Sequence, residues 1–493
     1  MTAGYAASCM FIDGFWDDMV AVNWKEGHMK MSRKKTNRIV VTVGLLAALF
    51  MGALDATVVT TATPTITDEL EGLSLISWIF SIYTLTICVS TPIFGKLADL
   101  YGRKSIFTIG LLLFLVGSVL CGAAQSMSEL IWFRAIQGIG AGALTPVTFT
   151  IIGDLYTGEE RGKVQGVLSS VWSVAGLLGP FVGGYFVDAM SWRWIFYMNV
   201  PVSVISFILV FGFLHEGFKK VSKSIDYLGA LTFTIGISSL LFALLTGGET
   251  YAWSSPIIVG LFFTAALFLL IFLKVEARAK EPMLPLSLFR ERKISISYIL
   301  GFLGFCVVAG ASIYSPMWIQ KVSGFSATNS GLMLMPMSVA WLAAANLSGR
   351  FMFRVGARIF MLLGAVVVTL GAIWLYLVDI HSPYWYFIGI VVFMGFGMGC
   401  ISTTAIVTIQ SAVGGNMRGV ATSTNSLMSA LGQTVGVAIF GMLLNRTVTE
   451  DTPEQLANGM HVIFGFILVI TLVNLLVVNF LPSERKKAKS QSN

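Results

Sequence analysis

The chain has 493 residues, of which 56% are hydrophobic and only 12% are charged. An ordinary soluble domain has about 25% charged residues, so this composition excludes a soluble protein, and most side chains must face lipid. The formal net charge of +7 could indicate a nucleic-acid partner, but the distribution of the basic residues along the chain explains it without one.

The first residues do not resemble a signal peptide, because no basic start is followed by an apolar run and a small-residue cleavage site. The stretch Met1–His28 contains acidic and aromatic residues, whereas Met29–Lys35 is basic and is typical of the start of a membrane protein with a cytoplasmic N-terminus. We expect translation to start at Met29 or Met31. The alternative is that the first 28 residues are a disordered extension of the natural protein.

Fourteen apolar blocks follow, and each is long enough to cross a bilayer as a helix. They cover residues 39–62, 74–95, 105–125, 129–152, 163–187, 194–214, 227–246, 256–274, 294–319, 328–349, 358–378, 384–411, 418–443 and 459–481. The pattern predicts an all-α membrane protein with 14 transmembrane helices.

The basic residues test this map, because cytoplasmic loops carry an excess of Lys and Arg. With both termini placed in the cytoplasm, 28 of the 32 Lys and Arg residues fall in inside segments. Outside there are only Arg193, Lys321 and Arg446, and Arg134 lies within a span. The positive charge is therefore explained by topology, and both termini are predicted to be cytoplasmic.

An internal repeat divides the spans into two units. The glycines of Gln137–Gly142 recur in Met394–Gly399 at an offset of 257 residues, and the same offset relates Arg161 to Arg418. Spans 1–6 and 9–14 are therefore predicted to form two six-helix bundles of similar orientation. Transporters built from such parallel repeats bind substrate near mid-membrane, between the repeats.

Spans 7 and 8 lie between two basic loops and are predicted to be an insertion of two central helices. The predicted organisation is a cytoplasmic N-terminal segment (1–38), an N-terminal bundle (39–214), a central linker with spans 7 and 8 (215–293), a C-terminal bundle (294–481) and a cytoplasmic tail (482–493).

Three motifs lie on neighbouring spans of the first half. The turn after span 2 is Gly95–Lys104, and span 4 contains Arg134 followed by Gln137 and Gly138. The third motif is in span 5 and consists of Gly176, Gly179, Pro180, Gly183 and Gly184.

With these motifs the chain resembles the major facilitator superfamily, specifically its fourteen-span drug:proton antiporters. The turn is similar to the superfamily signature GxLaDrxGrk, span 4 to RxxqGxga, and span 5 to gxxxGPxxGG, which is associated with antiporters. Leu54–Pro64 resembles the span 1 motif LDxTIVNVALP, with Thr60 where the family has Asn. The resemblance covers residues 39–481.

The resemblance implies a proton-driven exporter of hydrophobic or cationic drugs that works by alternating access in the cell membrane. We expect a monomer without cofactor or metal, whose partners are small-molecule substrates, protons and the lipid bilayer. Two alternatives remain open, a carrier for one specific metabolite and a non-transporting membrane sensor or scaffold. An enzyme is not indicated, because the chain lacks the motifs GxxxxGK[ST], HExxH and GxSxG.

Asp55 and Arg134 are the candidates for proton coupling. Asp55 is the one carboxylate well inside a predicted span, where a charge costs about 2.5–3.5 kcal/mol on insertion scales. Such a residue usually lines a cavity, and Arg134 could help it lose its proton. The structural alternative is that both side chains only bond neighbouring helices.

Six residues at predicted cytoplasmic helix ends are candidates for gating: Gly95, Asp99, Gly102, Arg103, Asp154 and Arg161. Asp99 is expected to face the N-terminus of span 13 near Gly419, where the helix dipole favours an anion. The matching turn of the second half has Phe353 in place of the aspartate, which predicts a latch that is charged on one side only. The alternative is a positive-inside charge cluster with no gating role.

Overall fold

The computed structural model describes residues 36–70, 75–216, 226–248, 250–279, 282–325, 327–447 and 452–482. The expected translation start at Met29 or Met31 lies outside these residues. Within them the chain forms helices and turns, and the one strand-like feature is an isolated bridge between Gly247 and Tyr251.

Fifteen α-helices follow one another along the described residues. They are α1 (Arg38–Leu70), α2 (Ile76–Tyr101), α3 (Arg103–Ala123), α4 (Met127–Leu155), α5 (Gly158–Ala189), α6 (Trp194–Tyr197), α7 (Asn199–Phe213), α8 (Tyr227–Thr246), α9 (Pro256–Glu276), α10 (Arg292–Lys321), α11 (Ala327–Val355), α12 (Ala357–Tyr376), α13 (Tyr384–Ala412), α14 (Arg418–Thr447) and α15 (Pro453–Asn479).

Among the described residues, 13 helices are long and apolar enough to cross a membrane, with α6 and α7 forming one of them. Helix α5 supplies one more span, although its segments Gly158–Gly176 and Phe181–Val187 meet at 47°. Pro180 lies between these segments, and a proline lacks the backbone N–H of the helical ladder. The predicted all-α membrane fold is confirmed.

The two bundles repeat the same close helix contacts. A Cβ atom at Gly140 of α4 would lie 2.7 Å from the carbonyl oxygen of Gly110 in α3, and one at Gly397 of α13 would lie 2.6 Å from that of Gly364 in α12. Only glycine permits backbones to approach so closely. The glycine repeat of the sequence therefore marks equivalent positions in two bundles built on one plan.

The bundles also touch each other through glycines. A Cβ atom at Gly349 of α11 would lie 2.2 Å from the carbonyl oxygen of Gly162 in α5, and one at Gly95 of α2 would lie 2.2 Å from Oγ of Ser423 in α14. Both contacts lie at the end of the molecule that carries Asp99. The two bundles are therefore held together at this end.

Helices α8 and α9 pack on each other at one side of the molecule. Phe233 of α8 and Phe272 of α9 share a buried cluster with Cys88 of α2 and Leu427 of α14. The predicted insertion therefore contacts an edge of each bundle.

The orientation of the chain in the membrane is testable. Reporter fusions after Gly248 and after Asp379 are expected to be active outside the cell, and a fusion after Lys280 inside. The physical reason is that Lys and Arg are in excess in the loop that contains Lys280 and are absent from the predicted outer loops around Gly248 and Asp379. A cytoplasmic signal from the Gly248 fusion would contradict the predicted map.

Candidate functional site

A buried ion pair joins two helices of the N-terminal bundle. Nη1 of Arg134 in α4 lies 2.6 Å from Oδ2 of Asp55 in α1, and the two side chains are 1% and 0% exposed. Removing two charges from water is costly unless further hydrogen bonds compensate for the lost hydration. Such a pair therefore needs additional partners in the same region.

Three side chains supply those partners. Nε2 of Gln137 donates to Oδ1 of Asp55 (2.9 Å), and Nδ2 of Asn199 donates to the same oxygen (3.2 Å). Arg134 donates to Oε1 of Gln137 (2.8 Å), and its guanidinium lies 3.8 Å from the ring centroid of Tyr83. We call Asp55, Arg134, Gln137 and Asn199 the buried polar cluster.

The cluster explains part of the span 4 motif. Arg134 and Gln137 are three residues apart on α4, so both reach the same face of the helix. Gly138 follows because a Cβ atom there would lie 2.7 Å from the carbonyl oxygen of Tyr83. The motif therefore brings α4 close to α2 while two polar side chains reach Asp55.

Asp55 is enclosed within the bundle and does not itself line a cavity, although its partner Asn199 does. Asn199 touches a cavity that also borders Met51 and Leu54 of α1. The Asp55 carboxylate is enclosed by one guanidinium group and two side-chain amides that donate to it.

A second charged cluster lies at the end where the bundles meet. Arg103 pairs with Asp99 (Nη2 to Oδ1, 2.9 Å) and with Asp154 (Nε to Oδ2, 3.0 Å). The two oxygens of Asp99 accept hydrogen bonds from the backbone N–H groups of Gly419 (3.2 Å) and Val420 (3.0 Å). The expected contact between Asp99 and the start of α14 is therefore present, while its gating role stays a prediction.

Arg418 completes this cluster from the second bundle. Its Nη1 atom donates to Oδ1 of Asp154 (2.8 Å) and to the carbonyl oxygen of Gly153 (3.0 Å). Arg161, its counterpart in the repeat, instead donates from Nε to the carbonyl oxygen of Tyr156 (3.0 Å). Asp99, Arg103, Asp154 and Arg418 together form what we call the latch.

Gly102 forms the turn beside the latch, and the second bundle has a matching turn. Gly102 has a φ of 94°, a value that favours glycine, and it allows the sharp reversal from α2 to α3. Gly356 has a φ of 107° at the matching turn of the second bundle. There a Cβ atom at Gly162 would lie 2.8 Å from the ring of Phe353. This second contact between the bundles also carries a charged pair, because Arg354 of α11 lies 3.4 Å from Glu159 of α5, so the prediction of a contact charged on one side only does not hold for the surrounding residues.

Of the span 5 motif, the structure describes the surroundings of two glycines in detail. A Cβ atom at Gly179 would lie 2.1 Å from Oγ1 of Thr57 in α1, and one at Gly176 would lie 3.6 Å from Oγ of Ser338 in α11. Gly183 is buried, and the predicted positions Pro180 and Gly184 are not among those whose surroundings the structure describes. Gly179 therefore sets the distance between α5 and α1, two positions from Asp55.

At the opposite end of the bundle, Glu69 closes α1 against the start of α6. Its carboxylate accepts from Nε1 of Trp192 (2.6 Å) and from Arg193, and Arg193 also donates to the carbonyl oxygen of Ala124 (3.1 Å). The hydrogen bond from Arg193 lowers the pKa of Glu69, because it favours the ionised carboxylate. This contact ties three helix ends together.

Sequence reasoning did not assign a role to several residues of these clusters. Arg418 could have been found, because the repeat places it opposite Arg161. Nε2 of Gln165 donates to Oε1 of Gln410 across the two bundles (2.9 Å), yet two isolated glutamines give no motif. No sequence motif indicates the role of Asn199 either, because that role depends on how α7 packs against α1.

Among the described residues, no group of three His, Cys, Asp or Glu side chains could hold a metal ion. The described residues offer instead a buried ion pair of Asp55 and Arg134 within the first bundle and a charged contact between the bundles at the latch.

Known proteins resemble this chain in sequence. A family model described as Major Facilitator Superfamily matches residues 45–437 and again residues 354–493. The Multidrug transporter protein MdtP of Bacillus subtilis (strain 168) is 36% identical over 419 residues, which cover 85% of this chain and 77% of that protein. Multidrug resistance protein 3 of the same organism is 37% identical over 420 residues, which cover 85% of this chain and 81% of that protein.

Solved structures share the fold at low identity. The proton:xylose symporter XylE has a TM-score of 0.66 at 14% identity, over 90% of this chain and 96% of that one. The human organic anion transporter MFSD10 has a TM-score of 0.66 at 12% identity, over 90% of this chain and all of that one. The family and these relatives are transporters rather than enzymes. The chain, with its two repeated bundles and its motif-bearing turn, belongs to the major facilitator superfamily of membrane transporters.

Proposed function

We propose that the protein exports hydrophobic or cationic drugs across the cell membrane and that inward movement of protons drives this export. The observation that carries the proposal is the ion pair of Asp55 and Arg134 inside the first bundle. A buried carboxylate can take up a proton when its cationic neighbour moves away and can release the proton when that neighbour returns. The printed names of the two Bacillus relatives support drugs as the substrates.

The geometry suggests how the exchange proceeds. While Arg134 is paired with Asp55, the two buried charges compensate each other. If a movement of α4 against α1 within the first bundle draws Arg134 away, uptake of a proton would neutralise the isolated carboxylate, because an unpaired charge in a membrane is costly. Return of Arg134, or arrival of a cationic substrate, then favours release of the proton. Substrate and proton thus occupy the carrier in alternation.

The latch would couple this chemistry to the movement of the bundles. It is formed when both bundles meet at the Asp99 end, and it joins α2, α3 and α4 to α14 through two carboxylates and two guanidinium groups. Opening of that end must break the bonds from Gly419 and Val420 to Asp99. One end of the carrier would therefore close while the other is open.

Everted membrane vesicles test the proposal. A respiratory gradient acidifies their interior, and an acridine dye reports the gradient. Addition of ethidium or tetraphenylphosphonium is expected to release protons in vesicles with the protein but not in vesicles without it. A panel of chemically unrelated drugs that all fail to release protons would contradict the proposal. A response to one compound alone would favour a carrier for a specific metabolite.

A further inference from the structure

A cavity of about 740 Å³ opens beside the buried polar cluster. It lies between α1, α5 and the start of α7, in the half of the first bundle remote from the latch. Its volume falls within the usual range for small-molecule sites, about 300–1,000 Å³. The cavity is therefore large enough for a drug-sized molecule.

The mouth of the cavity faces the side of the bundle that contacts lipid. Phe181 and Tyr185 of α5 line it, and they are 80% and 65% exposed. The residues that line the cavity all belong to the first bundle, whereas α5 approaches the second bundle at Gly176, where a Cβ atom would lie 3.6 Å from Oγ of Ser338 in α11. A molecule that reaches this cavity must come from the hydrocarbon region and must itself be lipophilic.

The lining favours aromatic and cationic guests over saturated chains. Phe50 and Phe186 join the two rings at the mouth, and Met51 adds a polarisable thioether. Aromatic faces attract cations and stack on flat rings, whereas a saturated chain gains neither interaction. The chemistry of the wall thus selects an aromatic lipophilic cation.

The deep end of the cavity borders Asn199, whose Nδ2 atom lies 3.2 Å from Oδ1 of Asp55. One side chain therefore separates the cavity from the carboxylate. While Arg134 is paired with Asp55 the two charges cancel, and a positive charge bound at this end would be attracted by Asp55 once that pair is broken, as the proposed function requires. The cavity thus has an aromatic, apolar mouth and a polar deep end, as an amphiphilic cation requires.

We propose that this cavity is a membrane-facing binding site for aromatic lipophilic cations, separate from the space between the two bundles. The proposal rests on the proposed function, because it names a place where the exported cation is first held. It adds a lateral entry through α1, α5 and α7.

The test is binding of radiolabelled tetraphenylphosphonium to the full-length protein in lipid nanodiscs. Val202 lines the cavity, and Val202→Trp is expected to fill it and to weaken binding at least 10-fold. Ile205 lies on the same helix and is 54% exposed without lining the cavity. Ile205→Trp is therefore the matched control, and its affinity should stay within twofold of wild type.

A second pair of variants avoids the interior. Phe181→Ala removes an exposed ring at the mouth and is expected to weaken binding about 2- to 5-fold, the range of one exposed cation–π contact. The control is Phe263→Ala on α9, where an equally lipid-facing ring is 68% exposed. Equal affinities for wild type, Val202→Trp and Phe181→Ala would overturn the proposal. So would loss of copurified phospholipid from Val202→Trp at unchanged cation affinity, because the occupant would then be a lipid chain.

Proton release by the drug is measured on the same preparations. If the wild type releases protons but both variants bind the cation as tightly as the wild type does, the cavity is not the binding site and the proposed function stands. If binding depends on the cavity while wild type releases no protons, the proposed function fails and the site stands.

Discussion

Asp55→Asn is expected to reduce drug-dependent proton movement in everted vesicles to less than a tenth of the wild-type signal. Asparagine matches aspartate in size and can still accept a hydrogen bond, but its side-chain amide cannot bind and release a proton. Dye dequenching after drug addition is the measurement. Asp55→Glu should keep partial activity, because a titratable group remains.

The structure adds a stability test to this prediction. Asp55→Asn leaves Arg134 buried without its counter-ion, and loss of one partner of such a pair costs about 3–5 kcal/mol. The single variant should therefore melt at a lower temperature than wild type, and the double variant with Arg134→Gln should recover most of that loss. Both variants should remain inactive in proton exchange, which separates coupling from stability.

Glu129 provides the matched control. It begins α4, the helix of Arg134, but it is exposed and accepts a hydrogen bond from the backbone of Gln125 (2.9 Å). Glu129→Gln should exchange protons as wild type does. Proton exchange that persists in Asp55→Asn and disappears in Glu129→Gln would show that coupling lies at Glu129 instead.

Asp99→Asn is expected to lower drug efflux about 10-fold while the protein remains folded. The amide can accept a bond from Gly419 or Val420, but it loses the ionic attraction of Arg103 and the favourable interaction of an anion with the N-terminus of α14. The latch then closes less often. Efflux of a fluorescent drug from loaded cells is the measurement, with detergent-extracted melting temperature as the check on folding.

The second half of the chain supplies the control for this prediction. Phe353 lies at the matching turn, is 43% exposed and packs near Gly162. Phe353→Ala removes an apolar contact without removing charge, and efflux should stay within twofold of wild type. Normal efflux by Asp99→Asn would show that the charged latch has no role in gating.

The sequence predicted the spans and the repeat because lipid imposes a length and a hydrophobicity that can be counted. It also predicted that Asp99 meets the start of α14, because an anion is favoured at the N-terminus of a helix. It could not predict that Asn199 and Gln137 both donate to Asp55, since that depends on the rotation of three helices. The kink of α5 lies at Pro180 of the span 5 motif, whereas the cavity beside it arises from packing and leaves no pattern in the sequence.

Helix α8 contacts both α2 and α14, so it covers the seam between the bundles on that face of the molecule. On the opposite face no additional helix of the described residues covers the seam, where α5 packs against α11 through the paired glycines Gly162 and Gly349 and through the ion pair of Glu159 and Arg354. The two faces are therefore unequal toward the bilayer. Lipid can reach the seam directly on the α5–α11 face, whereas on the other face two additional helices must first be displaced. A fourteen-span carrier of this form is consequently one-sided in the plane of the membrane, unlike a carrier made of the two bundles alone.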